Sequence, residues 1–84
     1  MSQSKVLVYT TQYCPYCSQA KNLLRAKKIE FQEIDITHDE KMWDIIEQRT
    51  GATTVPQIFI NDEYIGGFEQ LYQLDKKDLL KKLL

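Results

Sequence analysis

Apolar and polar positions recur along the first half of the chain with the periods of a strand, a helix and a second strand. Residues 5–10 are a run of β-branched and aromatic side chains, which is typical of a buried strand. From Cys14 onward the apolar residues recur at helical spacing, and Pro15 suits the first helical turn. Residues 29–36 alternate imperfectly, with Glu33 out of step, and predict a second strand. Together these stretches predict a βαβ unit.

The second half of the chain predicts another helix followed by a hairpin. Thr37 and Glu40 have the spacing of a capping box, and Gly51 is expected to end the helix that they begin. Residues 57–60 and 63–65 predict two strands, because two turn-forming residues separate them. These two strands should pair as an antiparallel hairpin.

A last helix is predicted after residues 66–67, with a break or bend at residues 75–78. We expect Trp43, Tyr72 and the leucines of this helix, Leu79 among them, to be buried or half-buried. The predicted order is β-α-β-α-β-β-α. It corresponds to an α/β fold with a mixed four-stranded sheet and helices on both faces.

Composition places the chain among ordinary globular domains. Its 84 residues are 43% hydrophobic and 27% charged, which predicts a single domain over residues 1–84. Eleven basic residues against twelve acidic ones give a formal charge of −1, so neither nucleic acid nor a membrane surface is an expected partner. The first five residues carry no apolar segment typical of a secretory signal. The expected location is the cytoplasm.

Cys14 and Cys17 are the only cysteines, and their spacing allows three interpretations. A structural disulfide closing so short a loop would contribute only about 2 kcal/mol and would be reduced in the cytosol. A zinc site needs four ligands, and beyond the cysteines the chain offers one histidine, His38, which we expect on a surface loop. No metal is therefore expected. The remaining interpretation is a redox pair.

The predicted elements favour that redox pair. A strand before Cys14 and a helix after it would place its sulfur at a helix N-terminus, where backbone N–H groups stabilise a thiolate. A stabilised thiolate also leaves a mixed disulfide readily, so the pair should exchange with small thiols.

Three short motifs follow one another along the chain: Cys14-Pro15-Tyr16-Cys17, Thr54-Val55-Pro56, and Gly66-Gly67 followed by Glu69. In order and spacing they resemble those of the dithiol glutaredoxins. The resemblance covers nearly the whole chain and implies a thioredoxin fold.

The resemblance also implies an activity and its partners. Cys14 would attack a disulfide or a protein–glutathione mixed disulfide, and Cys17 would resolve a protein mixed disulfide. The implied function is a glutathione-dependent thiol–disulfide oxidoreductase, with glutathione as co-substrate regenerated by glutathione reductase. Its partners would be disulfide-containing or glutathionylated proteins, with ribonucleotide reductase as one candidate, and the protein would act as a monomer.

A glutathione groove follows from the same resemblance. Pro56 would be preceded by a cis peptide bond, and Thr54 and Val55 would present backbone to the ligand. The N–H and C=O of Val55 could pair with the cysteinyl part of glutathione as a short added strand. Tyr13 and Tyr16 would flank the reactive sulfur, with an aromatic ring as one wall of the groove.

The two ends of glutathione have their own implied contacts. The helix start at Gly67 and Phe68 would supply backbone amides for the γ-glutamyl carboxylate, and Glu69 would take its ammonium group. Arg49 and Gln48 lie where the family often has groups near the glycine carboxylate.

The chain departs from the family pattern at two points. Many members have a basic residue at the position of Thr11, so the missing charge would fall to Arg49. Many also have Cys and then Asp where this chain has Phe68 and Glu69. The ammonium contact would then come from a longer and more flexible side chain.

Three other functions are compatible with parts of the pattern. The first is a small thioredoxin-like electron donor reduced by a flavoprotein, against which the Gly pair with Glu69 argues. The second is a carrier of a [2Fe-2S] cluster held between two chains and two glutathiones, for which Pro15 is unfavourable because cluster-binding relatives usually have a smaller residue there. The third, the N-terminal domain of a glutathione transferase, requires a helical second domain, and we expect this chain to be too short for it.

Overall fold

Strands and helices alternate in the computed structural model, which describes residues 5–83. The elements are β1 (Val6–Thr10), α1 (Pro15–Ala26), β2 (Gln32–Asp35), α2 (Glu40–Thr50), β3 (Gln57–Ile60), β4 (Glu63–Gly66), α3 (Phe68–Lys76) and α4 (Leu80–Leu83). The predicted order is confirmed. The interruption expected at residues 75–78 divides the last helical segment into α3 and α4.

The four strands form one mixed sheet in the order β2-β1-β3-β4. β1 pairs with β2 in parallel and with β3 antiparallel. β3 and β4 form the predicted antiparallel hairpin, with a register shift between Ile58 and Phe59. The end of β1 and the start of β3 therefore lie side by side, at the same end of the two central strands.

Each face of the sheet carries its own hydrophobic cluster. The larger cluster joins Val8 and Ile58 of the central strands to Leu24 of α1 and Leu71 of α3. The smaller cluster lies on the opposite face, around Phe59, and includes Tyr9, Ile36 and Ile46 of α2. Helices on both faces of the sheet are thus confirmed.

β2 is shorter than the sequence predicts. Its predicted span began at Ile29, but Ile29 and Phe31 precede the strand and pack on the larger cluster. Ile34 and Ile36 belong to the smaller cluster on the opposite face. The apolar side chains therefore change from one face of the sheet to the other at Glu33. The Glu33 side chain itself points towards α1 and forms a hydrogen bond with Lys21 of that helix.

α2 begins differently from the prediction, because Asp39 is its N-cap and accepts a hydrogen bond from the amide of Met42 at 3.0 Å. The predicted cap, Thr37, uses its hydroxyl to bond Asp35 instead. The predicted end is confirmed, since Gly51 lies in the left-handed region with φ +73°. A glycine there avoids the clash that a Cβ would make.

The expected burial is confirmed for Trp43 and for four of the five leucines, which are Leu71, Leu74, Leu80 and Leu83. Trp43 is half-buried against the smaller cluster. The prediction is wrong for Tyr72 and Leu79, both of which are exposed. Leu79 lies between α3 and α4, where Asp78 takes a left-handed conformation that turns the chain.

Along residues 5–83, every helix is too short or too polar to cross a bilayer. The expectation about a signal segment concerns residues 1–5, of which all but Lys5 lie outside the described part of the chain.

Candidate active site

Two hydrogen bonds anchor the loop between β1 and α1 to the end of β2. The amide of Gln12 donates to Oγ1 of Thr37 at 2.9 Å, and that hydroxyl donates to Oδ1 of Asp35 at 2.6 Å. The amide of Thr37 bonds the same carboxylate at 2.9 Å. Because these bonds favour the ionised carboxylate, they lower the pKa of Asp35. The loop that carries Cys14 is thereby tied to the sheet.

Cys14 is the N-cap of α1, and its side chain takes the role that Ser or Asp usually plays. Its Sγ accepts a hydrogen bond from the amide of Cys17 at 3.1 Å. In this structure Cys14 and Cys17 are joined as a disulfide, with their Cα atoms 5.1 Å apart. Cys17 is 1% exposed, whereas Cys14 is partly accessible. Cys14 is therefore the sulfur that a partner can reach.

The loop before β3 approaches this sulfur from the neighbouring strand. The carbonyl oxygen of Val55 lies 3.4 Å from Sγ of Cys14. The Val55–Pro56 peptide bond is cis, which confirms the expectation from the resemblance. The side chain of Pro56 is buried, so the loop presents its main chain beside the cysteines.

Gln57, at the start of β3, supports this loop, a role that the sequence analysis did not predict. The side chain is buried, and its Nε2 donates to the carbonyl oxygen of Thr54 at 2.7 Å. The hydroxyl of Tyr64 on β4 donates to Oε1 of Gln57 at 2.5 Å. A polar residue within the apolar run of β3 was the only signal of this network. Gln57 holds the loop against the hairpin.

An open groove of about 450 Å³ runs beside the cysteines. One wall is Tyr16 of α1, and the others are residues 54–56 and residues 67–70. Glu69 is the single charged side chain along this lining. A ligand in the groove would thus meet main chain, aromatic rings and one carboxylate.

The start of α3 closes the far end of the groove. Gly67 packs so closely on the preceding loop that a Cβ there would lie 3.3 Å from the carbonyl oxygen of Pro56. Its amide donates to Oε1 of Gln70 at 2.9 Å. Helix geometry leaves the other first-turn amides, those of Phe68, Glu69 and Gln70, without intrahelical acceptors. These amides are available as donors for an anion.

Comparison with known proteins places this site in a family. A family model described as glutaredoxin matches residues 6–65. The chain belongs to the glutaredoxin family. It is 44% identical to glutaredoxin 3 of Escherichia coli strain K12 over 81 residues, covering 96% of this chain and 98% of that protein.

Solved glutaredoxins share the architecture. The solution structure of glutaredoxin from Brucella melitensis aligns with a TM-score of 0.90 at 40% identity, covering 100% of this chain and 91% of that one. A crystal structure of a buckwheat glutaredoxin–glutathione complex aligns with a TM-score of 0.91 at 27% identity, covering 96% and 76%. The fold is therefore the thioredoxin fold of this family. Cys14 and Cys17 fit the C-x-x-C active site of a thiol–disulfide oxidoreductase.

Of the residues predicted to contact glutathione, all but Tyr13 and Arg49 line the groove. Tyr13 projects from the cysteine loop and is 89% exposed. The guanidinium of Arg49 lies 4.4 Å above the ring of Phe59, in a cation–π contact with β3. Gln48 is exposed on α2, and Thr11 is half-buried.

Glu33 forms a second polar network, below the cysteine loop. Its Oε2 accepts hydrogen bonds from Nζ of Lys21 at 2.9 Å and from the hydroxyl of Thr10 at 2.8 Å. The bond from Lys21 is the main cause of a lowered pKa for Glu33, partly offset by burial. Since Thr10 is buried at the end of β1, this network links β1, α1 and β2 where the active-site loop begins.

Among the described residues, no three His, Cys, Asp or Glu side chains come together in a way that could hold a metal ion.

Proposed function

We propose that the protein uses glutathione to reduce protein disulfides and to remove glutathione from protein mixed disulfides. The observation that carries the proposal is the position of the groove, one end of which begins where the carbonyl of Val55 lies 3.4 Å from Sγ of Cys14. A ligand cysteine joined to Cys14 through a disulfide would have its own backbone N–H within reach of that carbonyl. A tripeptide with a central cysteine fits this requirement.

In the proposed complex, glutathione extends from Val55 towards the start of α3. Its γ-glutamyl carboxylate accepts hydrogen bonds from the amides of Phe68 and Glu69, where the helix dipole favours an anion. The carboxylate of Glu69 pairs with the γ-glutamyl ammonium group. Thr54 and Pro56 form one side of the groove and Tyr16 the other. The buckwheat relative crystallised with glutathione supports this choice of ligand.

The reaction on a glutathionylated protein needs one cysteine of this chain. The Cys14 thiolate attacks the glutathione sulfur, so a Cys14–glutathione disulfide forms and the protein leaves as a thiolate. A second glutathione thiolate then attacks the glutathione sulfur on Cys14. This step releases glutathione disulfide and returns the Cys14 thiolate, so the net reaction exchanges one free glutathione thiol for the protein thiol.

The reaction on a protein disulfide needs both cysteines. Cys14 forms a mixed disulfide with one protein sulfur, and the Cys17 thiolate then attacks Sγ of Cys14 and releases the reduced protein. Two glutathiones restore the dithiol. Buried Cys17 can reach only Cys14, because their Cα atoms are 5.1 Å apart and Cys17 is covered.

We leave Arg49 and Tyr13 out of the proposed groove. Arg49 is engaged with Phe59, and Glu69 is the only charged residue along the described lining. The glycine carboxylate of glutathione would then remain in water, where it is well solvated. Affinity would rest on the main chain at Val55 and on the start of α3.

The wider assignments remain part of the same proposal. The protein acts as a single-domain monomer, in a reducing compartment such as the cytoplasm, because its dithiol must be regenerated by glutathione. Glutathione reductase regenerates the glutathione. Disulfide-containing and glutathionylated proteins are its substrates, and ribonucleotide reductase is a candidate among the former.

A coupled assay tests the proposed function. It contains glutathione, glutathione reductase, NADPH and the mixed disulfide of glutathione with 2-mercaptoethanol, and NADPH consumption reports turnover. The proposal expects turnover that saturates with the mixed disulfide. Absence of turnover, together with efficient reduction of the protein by a thioredoxin reductase, would replace it with the thioredoxin-like alternative.

A further inference from the structure

Three aromatic rings form a continuous strip that starts beside Cys14 and leaves the groove. The rings of Tyr16 and Phe68 stack with centroids 6.3 Å apart, and those of Phe68 and Tyr72 stack nearly parallel at 5.9 Å. Tyr16 is 61% exposed and Tyr72 is 42% exposed. We call these three side chains the aromatic strip.

The glutathione groove does not explain the whole strip. Tyr16 and Phe68 line the groove, but Tyr72 lies one helical turn further along α3, outside that lining. At its outer end Nζ of Lys76 lies 5.8 Å above the Tyr72 ring. The exposed ring of Tyr72 therefore adds apolar surface beyond the groove that is proposed for glutathione.

We propose that the aromatic strip binds an apolar side chain of the protein half of the substrate, close to the cysteine whose disulfide Cys14 attacks. The proposal rests on the proposed function, in which such a polypeptide must come to Cys14. The strip spans about the length of three or four residues of extended chain, at ~3.3 Å per residue. Exposed aromatic rings are favoured at interfaces, because they offer a large rigid surface at little cost in conformational entropy.

The size of the strip favours a short segment over a second copy of this chain. Aromatic side chains carry ~150–250 Å² each, so the exposed part of three partly covered rings is about 300 Å². A stable dimer interface buries about 800 Å² per partner. A few residues of a transient polypeptide partner match the smaller area.

The test compares two synthetic peptides, each with one cysteine joined to glutathione. They differ only in the residues two and three positions from the cysteine, which are Phe and Leu in one peptide and Ser in the other. Release of the peptide thiol by the reduced protein is followed in single turnover without free glutathione, and kcat and KM are then measured in the coupled assay. The variant is Tyr72→Ser, and the matched control is Ile45→Ser, an exposed apolar residue on α2.

We expect the unmodified protein to react about three- to tenfold faster with the apolar peptide at low concentration, through a lower KM. Tyr72→Ser should remove most of that preference without changing turnover of the small glutathione–mercaptoethanol disulfide. Ile45→Ser should keep the preference.

The assignment of the strip would be overturned if the unmodified protein showed no preference for the apolar peptide, or if Tyr72→Ser kept that preference unchanged. It would also be overturned if Tyr72→Ser lost as much activity on the small disulfide as on the apolar peptide, or if Ile45→Ser lost the preference to the same extent. A dimer in sedimentation experiments that Tyr72→Ser dissociates would assign the strip to a second copy instead. Loss of steady-state turnover on every substrate would count against the glutathione proposal, whereas the single-turnover comparison would still decide the role of the strip.

Discussion

The backbone amide of Cys17 points at the sulfur of Cys14 from 3.1 Å away. When the disulfide is reduced, this N–H and the start of α1 stabilise negative charge on Cys14 and not on Cys17. Burial has the opposite effect on Cys17, since a thiolate in an apolar setting lacks solvation. The two cysteines are therefore chemically unequal, although only two residues separate them.

That inequality predicts different effects for the two serine variants. Cys14→Ser should abolish all thiol–disulfide activity. Cys17→Ser should retain turnover of glutathione mixed disulfides, because free glutathione can release Cys14, but it should lose most reduction of protein disulfides. Both variants are assayed on a glutathione mixed disulfide and on a protein disulfide. An equal loss in both variants on the mixed disulfide would show that the second thiol is obligatory there.

Glu69 is predicted to contribute charge to glutathione binding. In Glu69→Gln the ammonium contact is weakened but the first-turn amides of α3 remain, so KM for glutathione should rise by about two- to fivefold. The value of kcat should change little, and the difference between the proteins should shrink at high salt because exposed charges are screened. The control is Glu47→Gln, an exposed acid on α2. A KM that does not respond to Glu69→Gln would place the ammonium group elsewhere.

The ionisation of Glu33 is predicted to make part of the free energy of unfolding depend on pH. Its pKa lies below the ordinary value of 4.5, mainly because of Lys21, so the ionised form stabilises the fold above that pH. This contribution is lost as the pH falls through the lowered pKa. The free energy of unfolding of Glu33→Gln should therefore be lower than that of the unmodified protein at pH 7, and the difference should be smaller at pH 3.

The expected difference at pH 7 is small, about 0.2–1 kcal/mol, because 37% of the Glu33 side chain and 21% of that of Lys21 are exposed. Urea unfolding at both pH values measures it. Glu30→Gln, at an exposed neighbouring acid, controls for the loss of one negative charge. A difference that persists unchanged at pH 3 would mean that the amide, and not the lost charge, causes the effect.

Thr37 is predicted to hold the active-site loop. Thr37→Val keeps the shape but removes the acceptor for the amide of Gln12 and the donor to Asp35. We expect a loss of about 0.5–1.5 kcal/mol in stability and faster hydrogen exchange at Gln12. Thr37→Ser should restore both, and Thr53→Val, at an exposed threonine, should have neither effect. Exchange at Gln12 that is unchanged in Thr37→Val would show that another contact fixes the loop.

The sequence predicted those parts of the fold that depend on local patterns. The β-branched run of β1, the apolar run of β3 and the helical spacing after Cys14 need no information about distant residues. β2 was predicted too long because apolar Phe31 lies two residues before Glu33, which is the spacing of side chains on one face of a strand. Only the packed structure shows that Phe31 lies before the strand.

The same division applies to the candidate site. The cysteine pair and the loop at Pro56 were recognisable from their motifs. Gln57 was missed because its partners, Thr54 and Tyr64, become neighbours only through the hairpin. Arg49 was expected near the ligand from the resemblance alone, and its contact with Phe59 was not predictable because the two residues meet only in the packed structure.

The contact between the Val55 carbonyl and the sulfur of Cys14 limits which experiments can measure its contribution. The atom that faces the reactive sulfur belongs to the peptide unit of Val55 and not to its side chain. Every amino acid carries that carbonyl, so alanine scanning would leave it intact and would report only the packing of the Val55 side chain against the smaller cluster. Replacing the following amide by an ester would weaken that carbonyl as an acceptor, but it would also open the ring of Pro56, because an ester oxygen cannot carry the ring carbon that the proline nitrogen carries. A contact made by a backbone carbonyl does not depend on which side chain the residue carries, so only changes to the backbone itself would reveal its contribution.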